Sequence, residues 1–350
     1  MKYTWEAINL KPDPVYGSPL ARSSHGVSVV PGTDGHTPHY LLLYGGEHVA
    51  RTPVEPPSQA LWKADLVQKT WKAIIIDTSN APPPRVAHAQ AYHAPTQTLY
   101  IMGGRTGVAL EETALDDLWA LNVESETWTQ IHPTNNSSIE ARSFHRMICV
   151  DDSLYVFGGC GAVSGRLADL HRLDLSTQTW HALPVAKLKG RGGPNFTRLG
   201  HHHLLVWAGF AGHETNDGQV FDLKTGKWQD IPMPTETSTL RPRSVCVAGT
   251  LQNGSVVVFG GEVDPSDRGH EGAGGFCADV LVIQQGAADQ QSPSLQFQQD
   301  GVATNSSVAP CARGWSAGDA LGNSLFVFGG LTGDDTNPQR LGDLWKLTVE

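Results

Sequence analysis

One loop of the sequence concentrates the residue types that hold metal ions. Gly260-Gly261-Glu262-Val263-Asp264-Pro265-Ser266-Asp267-Arg268-Gly269-His270 places two or three carboxylates and one imidazole within nine residues. Such a set suits Fe(II), Mn or Zn and leaves coordination positions open for a substrate. The same composition also describes an ordinary solvated acidic turn. A second pattern is built from arginine: Arg22, Arg85, Arg142, Arg191, Arg243 and Arg313 recur in one register, in stretches such as Pro84-Arg85-Val86-Ala87-His88 and Ala141-Arg142-Ser143-Phe144-His145. A guanidinium is a planar fork that matches sulfate, phosphate or carboxylate. The register therefore suggests an anion site, and equally an architectural hydrogen-bonding device repeated through the fold.

Two further clusters carry less. His201-His202-His203 cannot converge on one ion if the run lies in a strand, because neighbours in a strand point to opposite faces. His145 and Cys149 imitate a nucleophile pair, yet they share an even-spaced inner strand with no third group to orient them, which reads as a buried thiol.

The elements that must position these residues follow from composition and self-similarity. The chain has 350 residues, with 38 glycines, 22 prolines and only 17% charged residues. This is a turn-rich composition with enough apolar content, 39%, to fill a core. The net charge of -10 comes with no basic stripe, which argues against a nucleic-acid partner. No apolar run approaches the roughly twenty residues that span a bilayer, and the first residues do not read as a secretion signal. Five widely spaced cysteines, with no Cys-x-x-Cys pair, suggest reduced thiols in a cytoplasmic protein.

A short run of β-branched and aromatic residues closed by a glycine pair recurs along the chain. It appears as Leu41-Leu42-Leu43-Tyr44-Gly45-Gly46, Leu99-Tyr100-Ile101-Met102-Gly103-Gly104 and Leu154-Tyr155-Val156-Phe157-Gly158-Gly159. Val256-Val257-Val258-Phe259-Gly260-Gly261 and Leu325-Phe326-Val327-Phe328-Gly329-Gly330 follow, with a weaker copy at Leu204-Leu205-Val206-Trp207-Ala208-Gly209. After each comes a loop, a strand such as Asp117-Leu118-Trp119 or Asp343-Leu344-Trp345, and an outer tryptophan, as in Thr127-Trp128. Period and order resemble the Kelch repeat and predict an all-β, six-bladed propeller spanning residues 1–350. The last copy lacks an outer Trp strand, and Tyr3-Thr4-Trp5-Glu6-Ala7-Ile8 supplies one, so the N-terminal strand should close the last blade. The fifth blade also lacks its outer Trp, and its Gln/Ser-rich stretch, roughly 286–300, reads as a loop. Six arginines placed just before the innermost strands would converge near one mouth of the central channel.

Beyond the generic repeat, Ala141-Arg142-Ser143-Phe144-His145, Arg191-Gly192-Gly193, Gly209-Phe210-Ala211-Gly212-His213-Glu214, Arg243-Ser244-Val245, Gly260-Gly261-Glu262-Val263 and Arg313-Gly314-Trp315-Ser316 resemble the plant specifier proteins of glucosinolate breakdown: the nitrile-specifier, epithiospecifier and thiocyanate-forming proteins. The resemblance implies an Fe(II)-dependent, lyase-like activity on a small sulfated substrate, a thiohydroximate O-sulfate released by a myrosinase-type glucosidase. That family's iron loop follows the fifth glycine pair as Glu-x-x-x-Asp-x-x-x-His. Glu262 and His270 match its outer positions, Ser266 stands at the middle one, and Asp267 is the nearer substitute, with Asp264 the alternative. Arg85 and Arg142 would act on the departing sulfate as catalytic groups, with Arg22, Arg191, Arg243 and Arg313 as further substrate-binding arginines. The alternative function class is a non-catalytic Kelch scaffold whose loops hold a protein partner.

Overall fold

A computed structural model describes residues 2–55, 61–107, 114–134, 139–231, 240–286, 295–299 and 309–350. Six antiparallel sheets, each of four principal strands, radiate from one axis as a β-propeller. Blade I contains Gly26–Pro31, Pro38–Tyr44, Leu61–Asp65 and Thr70–Ala73 from inside to outside. Ala89–His93, Thr98–Met102, Leu118–Asn122 and Thr127–Ile131 form blade II. In blade III the innermost strand Arg146–Val150, with the short segment Arg142–Ser143 before it, pairs with Ser153–Gly161, followed by Gly165–Asp174 and Thr179–Leu183. Blade IV runs Asn195–Leu199, His203–Phe210, Glu214–Asp222 and Lys227–Asp230.

Blade V has Val247–Thr250, Val256–Phe259, Val280–Gln285 and Leu295–Gln299. Its outer strand corrects the sequence reading of 286–300 as loop. Phe297 pairs with Ile283 and packs on Trp207, ring centroids 6.0 Å apart, where other blades use tryptophan. Blade VI is closed by the N-terminal strand Tyr3–Ala7, which pairs with Asn337–Val349 and places Trp5 opposite Leu347. One terminus thus completes the sheet begun by the other, and the blade presents no unpaired edge where the ends meet.

The core is divided among the blade interfaces. One cluster joins blades VI and I through Phe326, Phe328 and Trp71, and the next joins I and II through Tyr44, Ile101 and Trp128. Similar clusters follow at each later interface around the ring. Each blade therefore buries both its faces only when flanked by its neighbours, which is why repeats of this kind are stable as a closed set.

The glycine pairs are demanded by that closure. Gly45 and Gly46 sit at φ +61° and +88°. A Cβ on Gly45 would stand 2.6 Å from the carbonyl oxygen of Arg85 in the next blade, and the N–H of Gly46 donates to that same oxygen at 3.0 Å. The contact repeats six times, ending with Gly330 N–H donating to Arg22 O at 2.9 Å. Only blade IV departs from the pair, with Ala208 held at φ +60°. L-residues pay for that conformation, and glycine does not.

Candidate functional site

The six arginines of the register are not at the surface. Each is 0–1% exposed. Arg142 shows the pattern. Its Nε donates to Glu140 O at 2.9 Å, and its Nη1 donates to Gly158 O at 3.0 Å. Nη1 and Nη2 also reach the two oxygens of Asp169 at 2.8 Å each. Arg85 does the same with Asp117, Arg191 with Asp217 and Arg313 with Asp343, while Arg243 reaches Asp279 through Nη2 alone and turns Nη1 to Cys277 Sγ. Each guanidinium thereby ties the blade's entry, the end of its second strand and the start of its third. It also holds its own carbonyl where the preceding blade's glycine pair needs it.

The expectation that Arg85 and Arg142 act on a substrate, and that Arg22, Arg191, Arg243 and Arg313 bind one, is corrected on this point. These groups have no surface to offer a ligand, and five of the six are occupied by carboxylates. Arg22 is the exception: it donates to Leu20 O and Gly45 O, and its Nη2 has no partner among the described residues. Blade I carries Ala60 just before Leu61, where the other blades carry aspartate. Burial without a carboxylate lowers the Arg22 guanidinium to about 9.

Two residues beyond each arginine, a second ring closes the channel mouth. Ser24, Ala87, Phe144, Gly193, Val245 and Trp315 all have φ between +47° and +58°. Each donates its N–H to the carbonyl of the one before it. Ala87 donates to Ser24 O at 2.9 Å, Phe144 to Ala87 O at 2.8 Å and Gly193 to Phe144 O at 2.8 Å. Val245 then donates to Gly193 O at 2.9 Å, Trp315 to Val245 O at 3.1 Å and Ser24 to Trp315 O at 3.0 Å. The result is an unbroken cycle of backbone hydrogen bonds. Above it, Phe144 and Trp315 reach across the opening.

The residues that follow the glycine pairs surround this ring, and their charges are segregated. On one side lie acids. Glu262 is buried beside blade IV's Glu214, which accepts from Ser244 Oγ at 3.2 Å. Burial, then the neighbouring Glu214, pushes the Glu262 carboxyl up to about 8, although the Trp315 indole and the Gly274 N–H both donate to it. Glu214 is itself raised, chiefly by burial. Asp335, from the sixth blade's hairpin, adds to the negative field at Glu262 and accepts from Ser266 Oγ. Glu47, also buried, accepts from Ser23 Oγ at 3.1 Å and pairs with Arg340 at 3.3 Å.

Across the mouth lie two arginines that form no salt bridge among the described residues. Arg105 donates from Nε to Ser143 Oγ at 3.0 Å and lies over the Phe144 ring, 5.9 Å from its centre. Arg166 covers Phe210 at 4.7 Å. Both attract the Cys160 thiolate form, but burial wins and keeps that thiol raised.

The residues expected to form a metal triad are not brought together among the described residues. Glu262 faces inward. Asp267 is exposed, and Asp264 is exposed and paired with Arg241 at 3.2 Å. His270 lies in the short 3-10 turn Gly269–Glu271, and its side chain is outside the described residues. Among the described residues no three His, Cys, Asp or Glu side chains come together as a metal-binding group. The acids whose charge is felt at Glu262 are Glu214 and Asp335. The sequence reading did not single out either residue: Glu214 stands five positions after Gly209, whereas Glu262 directly follows Gly261, so no shared register marked it. Glu262 and Glu214 are buried carboxylates, both raised chiefly by burial, and a divalent cation would relieve that cost, so this pair fits a hard or borderline cation.

The two lesser clusters resolve as structure. His201 and His202 are exposed in a hairpin turn, and His203 begins the next strand. Burial raises the Cys149 thiol to about 12, leaving it no nucleophile at neutral pH.

Among relatives, the N-(sulfonatooxy)prop-2-enimidothioate sulfolyase of Thlaspi arvense is 26% identical over 293 residues, 76% of this chain and 78% of the relative. Kelch domain-containing protein 3 of Bos taurus is 30% identical over 178 residues, which cover 47% of this chain and 44% of that protein. The solved structure of YjhT superposes with a TM-score of 0.69 at 17% identity, over 95% of this chain and 96% of that one, and so shares the fold. No helix among the described residues is long and apolar enough to cross a membrane. The six-bladed sheet order and its glycine-pair closure agree with the match of residues 24–261 to the family model of the KLHDC2/KLHL20/DRC7 Kelch-repeats domain, and the chain belongs to that Kelch-repeat family.

Proposed function

We propose that the charge-segregated mouth is a small-molecule site, and that the protein is a specifier-like, Fe(II)-dependent lyase acting on a thiohydroximate O-sulfate. The observation that carries this reading is the opposition of Glu214 and Glu262 to Arg105 and Arg166, which have no salt-bridge partner among the described residues. The sulfolyase relative from Thlaspi arvense, similar over three-quarters of the chain, supports the substrate class. Glu262 and Glu214 would hold the ion, and His270 keeps the role its place in the loop sequence suggests. A ferrous ion there would supply a Lewis acid for the substrate's thiolate sulfur.

The chain's own residues do the rest. Arg105 and Arg166 take the sulfate, and they stabilise it most as it leaves with the N–O bonding pair and a second negative charge. The C–S bonding pair becomes part of the nitrile triple bond, and the sulfur is released as the neutral atom, so the charge of the dianionic substrate leaves entirely on sulfate. Phe144, Phe210 and Trp315 present apolar surface that keeps water from this step. Five free cysteines are in keeping with a reducing, cytoplasmic setting.

The test is incubation of the purified protein with a myrosinase-type glucosidase, a glucosinolate and Fe(II), followed by product analysis. Nitrile-type product that depends on the protein is the expected result. Isothiocyanate alone, with and without the protein, overturns the reading. A second reading, a non-catalytic Kelch scaffold, is favoured by the family match itself. Equal iron content in wild type, Glu262→Ala and His270→Ala, with no product shift, would select it.

A further inference from the structure

Beneath the Phe144–Trp315 pair, the central channel encloses a cavity of about 290 Å³ lined by the innermost strands. Its uppermost layer is formed by the fourth residue after each register arginine. In four blades that residue is small or short: Gly26, Ala89, Val247 and Ala317. The other two are Arg146 and Asn195, neighbours in blades III and IV. The guanidinium of Arg146 donates from Nε to Pro194 O at 3.0 Å and from Nη2 to Cys246 O at 3.2 Å. No carboxylate pairs with it, and its Nη1 takes no acceptor among the described residues.

Asn195 is 3% exposed; its amide lies beside the Cys246 thiol and takes no stronger partner among the described residues. One layer lower, the Thr197 hydroxyl is buried and unpartnered among the described residues. The channel's carboxylate, Asp319, is turned to the strand backbone, accepting from Val29 N–H at 2.9 Å and Ala320 N–H at 2.8 Å, and forms no salt bridge with Arg146.

Buried amides and hydroxyls require partners, and a guanidinium without a counter-charge attracts an anion. Here a half-buried guanidinium with no carboxylate partner among the described residues, a buried amide and a buried hydroxyl line one channel cavity. We propose that this part of the channel is a binding site for a small monovalent anion of halide size, held by Arg146 Nη1 and Asn195 Nδ2, with the Thr197 hydroxyl one layer below. The site is separate from the mouth chemistry, because the backbone ring and the Phe144–Trp315 pair lie between them. Its occupant neutralises the Arg146 charge and joins blades III and IV at the axis, so it acts as a structural ion.

Bromide is the probe. Thermal unfolding is compared in sodium bromide and sodium gluconate at equal ionic strength, since gluconate is too large for the layer. Crystals grown in bromide are examined by anomalous scattering. The expected result is an anomalous peak within hydrogen-bonding distance of Arg146 Nη1 and Asn195 Nδ2, with a saturable bromide-dependent rise in melting temperature. Arg146→Met should abolish the rise, and Asn195→Leu should weaken apparent bromide affinity at least tenfold. If Arg146→Met does not fold, Asn195→Leu and the wild-type crystal decide the question. No peak at this layer, a peak fitting water only, or an equal bromide response in wild type and Asn195→Leu overturns the proposal.

Discussion

Phe144 and Trp315, contributed by opposite blades, meet edge to face over the channel with ring centroids 5.6 Å apart at 80°. Both stand on the hydrogen-bonded backbone ring, and Trp315 also donates to Glu262. One aromatic contact thus couples the ring's closure to the acidic side of the mouth. Phe144→Ala should loosen the ring. We expect the amides of Ala87, Phe144, Gly193 and Trp315 to be among the most protected in hydrogen exchange, and to exchange about tenfold or more faster in that variant. Unchanged protection would separate the aromatic pair from closure of the ring.

The register arginines make a prediction about stability. Arg142→Met takes the guanidinium from Asp169 and should cost about 2–4 kcal/mol, at the lower end of the usual loss for breaking a buried pair because Asp169 keeps His171 at 2.9 Å and 24% side-chain exposure. Arg22 has no carboxylate to strand, so Arg22→Met should be milder by about 2 kcal/mol. Denaturant unfolding of the two variants checks the ranking. Equal losses would mean that the aspartates contribute little.

The glycine pairs predict a contrast between two alanine substitutions at positive φ. At Gly103 the new Cβ would meet Arg142 O at 2.6 Å, while at Gly17 nothing lies within 4 Å. Gly17→Ala should cost only the conformational penalty, about 1 kcal/mol, and Gly103→Ala at least twice that. Melting curves of the two proteins, side by side, suffice.

Glu262 predicts a pH dependence in metal-free protein. Its folded pKa, about 8, lies above the ordinary value of 4.5. The folded state therefore holds a proton that the unfolded state has released, and stability falls as pH rises through that window. Glu262→Gln keeps the neutral form throughout. It should leave stability nearly unchanged at pH 5 and raise it by about 1–3 kcal/mol at pH 8. Parallel pH profiles for variant and wild type, in the presence of a chelator, would refute the burial argument.

Arg105 and Arg166 predict where an anionic substrate is held. Arg105→Gln and Arg166→Gln should each weaken binding of a sulfated ligand about tenfold or more without lowering the melting temperature, because neither forms a salt bridge among the described residues. Binding is read by calorimetry with a stable sulfate-bearing analogue. Retained affinity in the double variant would place the anion elsewhere.

The blade count and the closing strand were legible in the sequence because repetition is a one-dimensional signal. Leu99-Tyr100-Ile101-Met102-Gly103-Gly104 announces its strand and turn without reference to anything distant, and Trp5 at the N-terminus visibly supplies what the last repeat lacks. Repetition also located the arginines, but it could not say which way they face. Arg142 and Asp169 are 27 residues apart, and their pairing depends on how two strands of one blade come to lie side by side. That pairing turned expected ligands into internal ties.

The candidate site was harder to read for the same reason. Glu214 and Glu262 belong to different blades, and Arg105 meets Ser143 across a blade boundary. Phe144 and Trp315 touch only because the ring closes. Local sequence therefore determined what each blade is made of. Closure of the ring decided which residues are buried, which charges are left without a counter-ion and which side chains face one another, because those properties depend on distances between chain segments that no local pattern encodes.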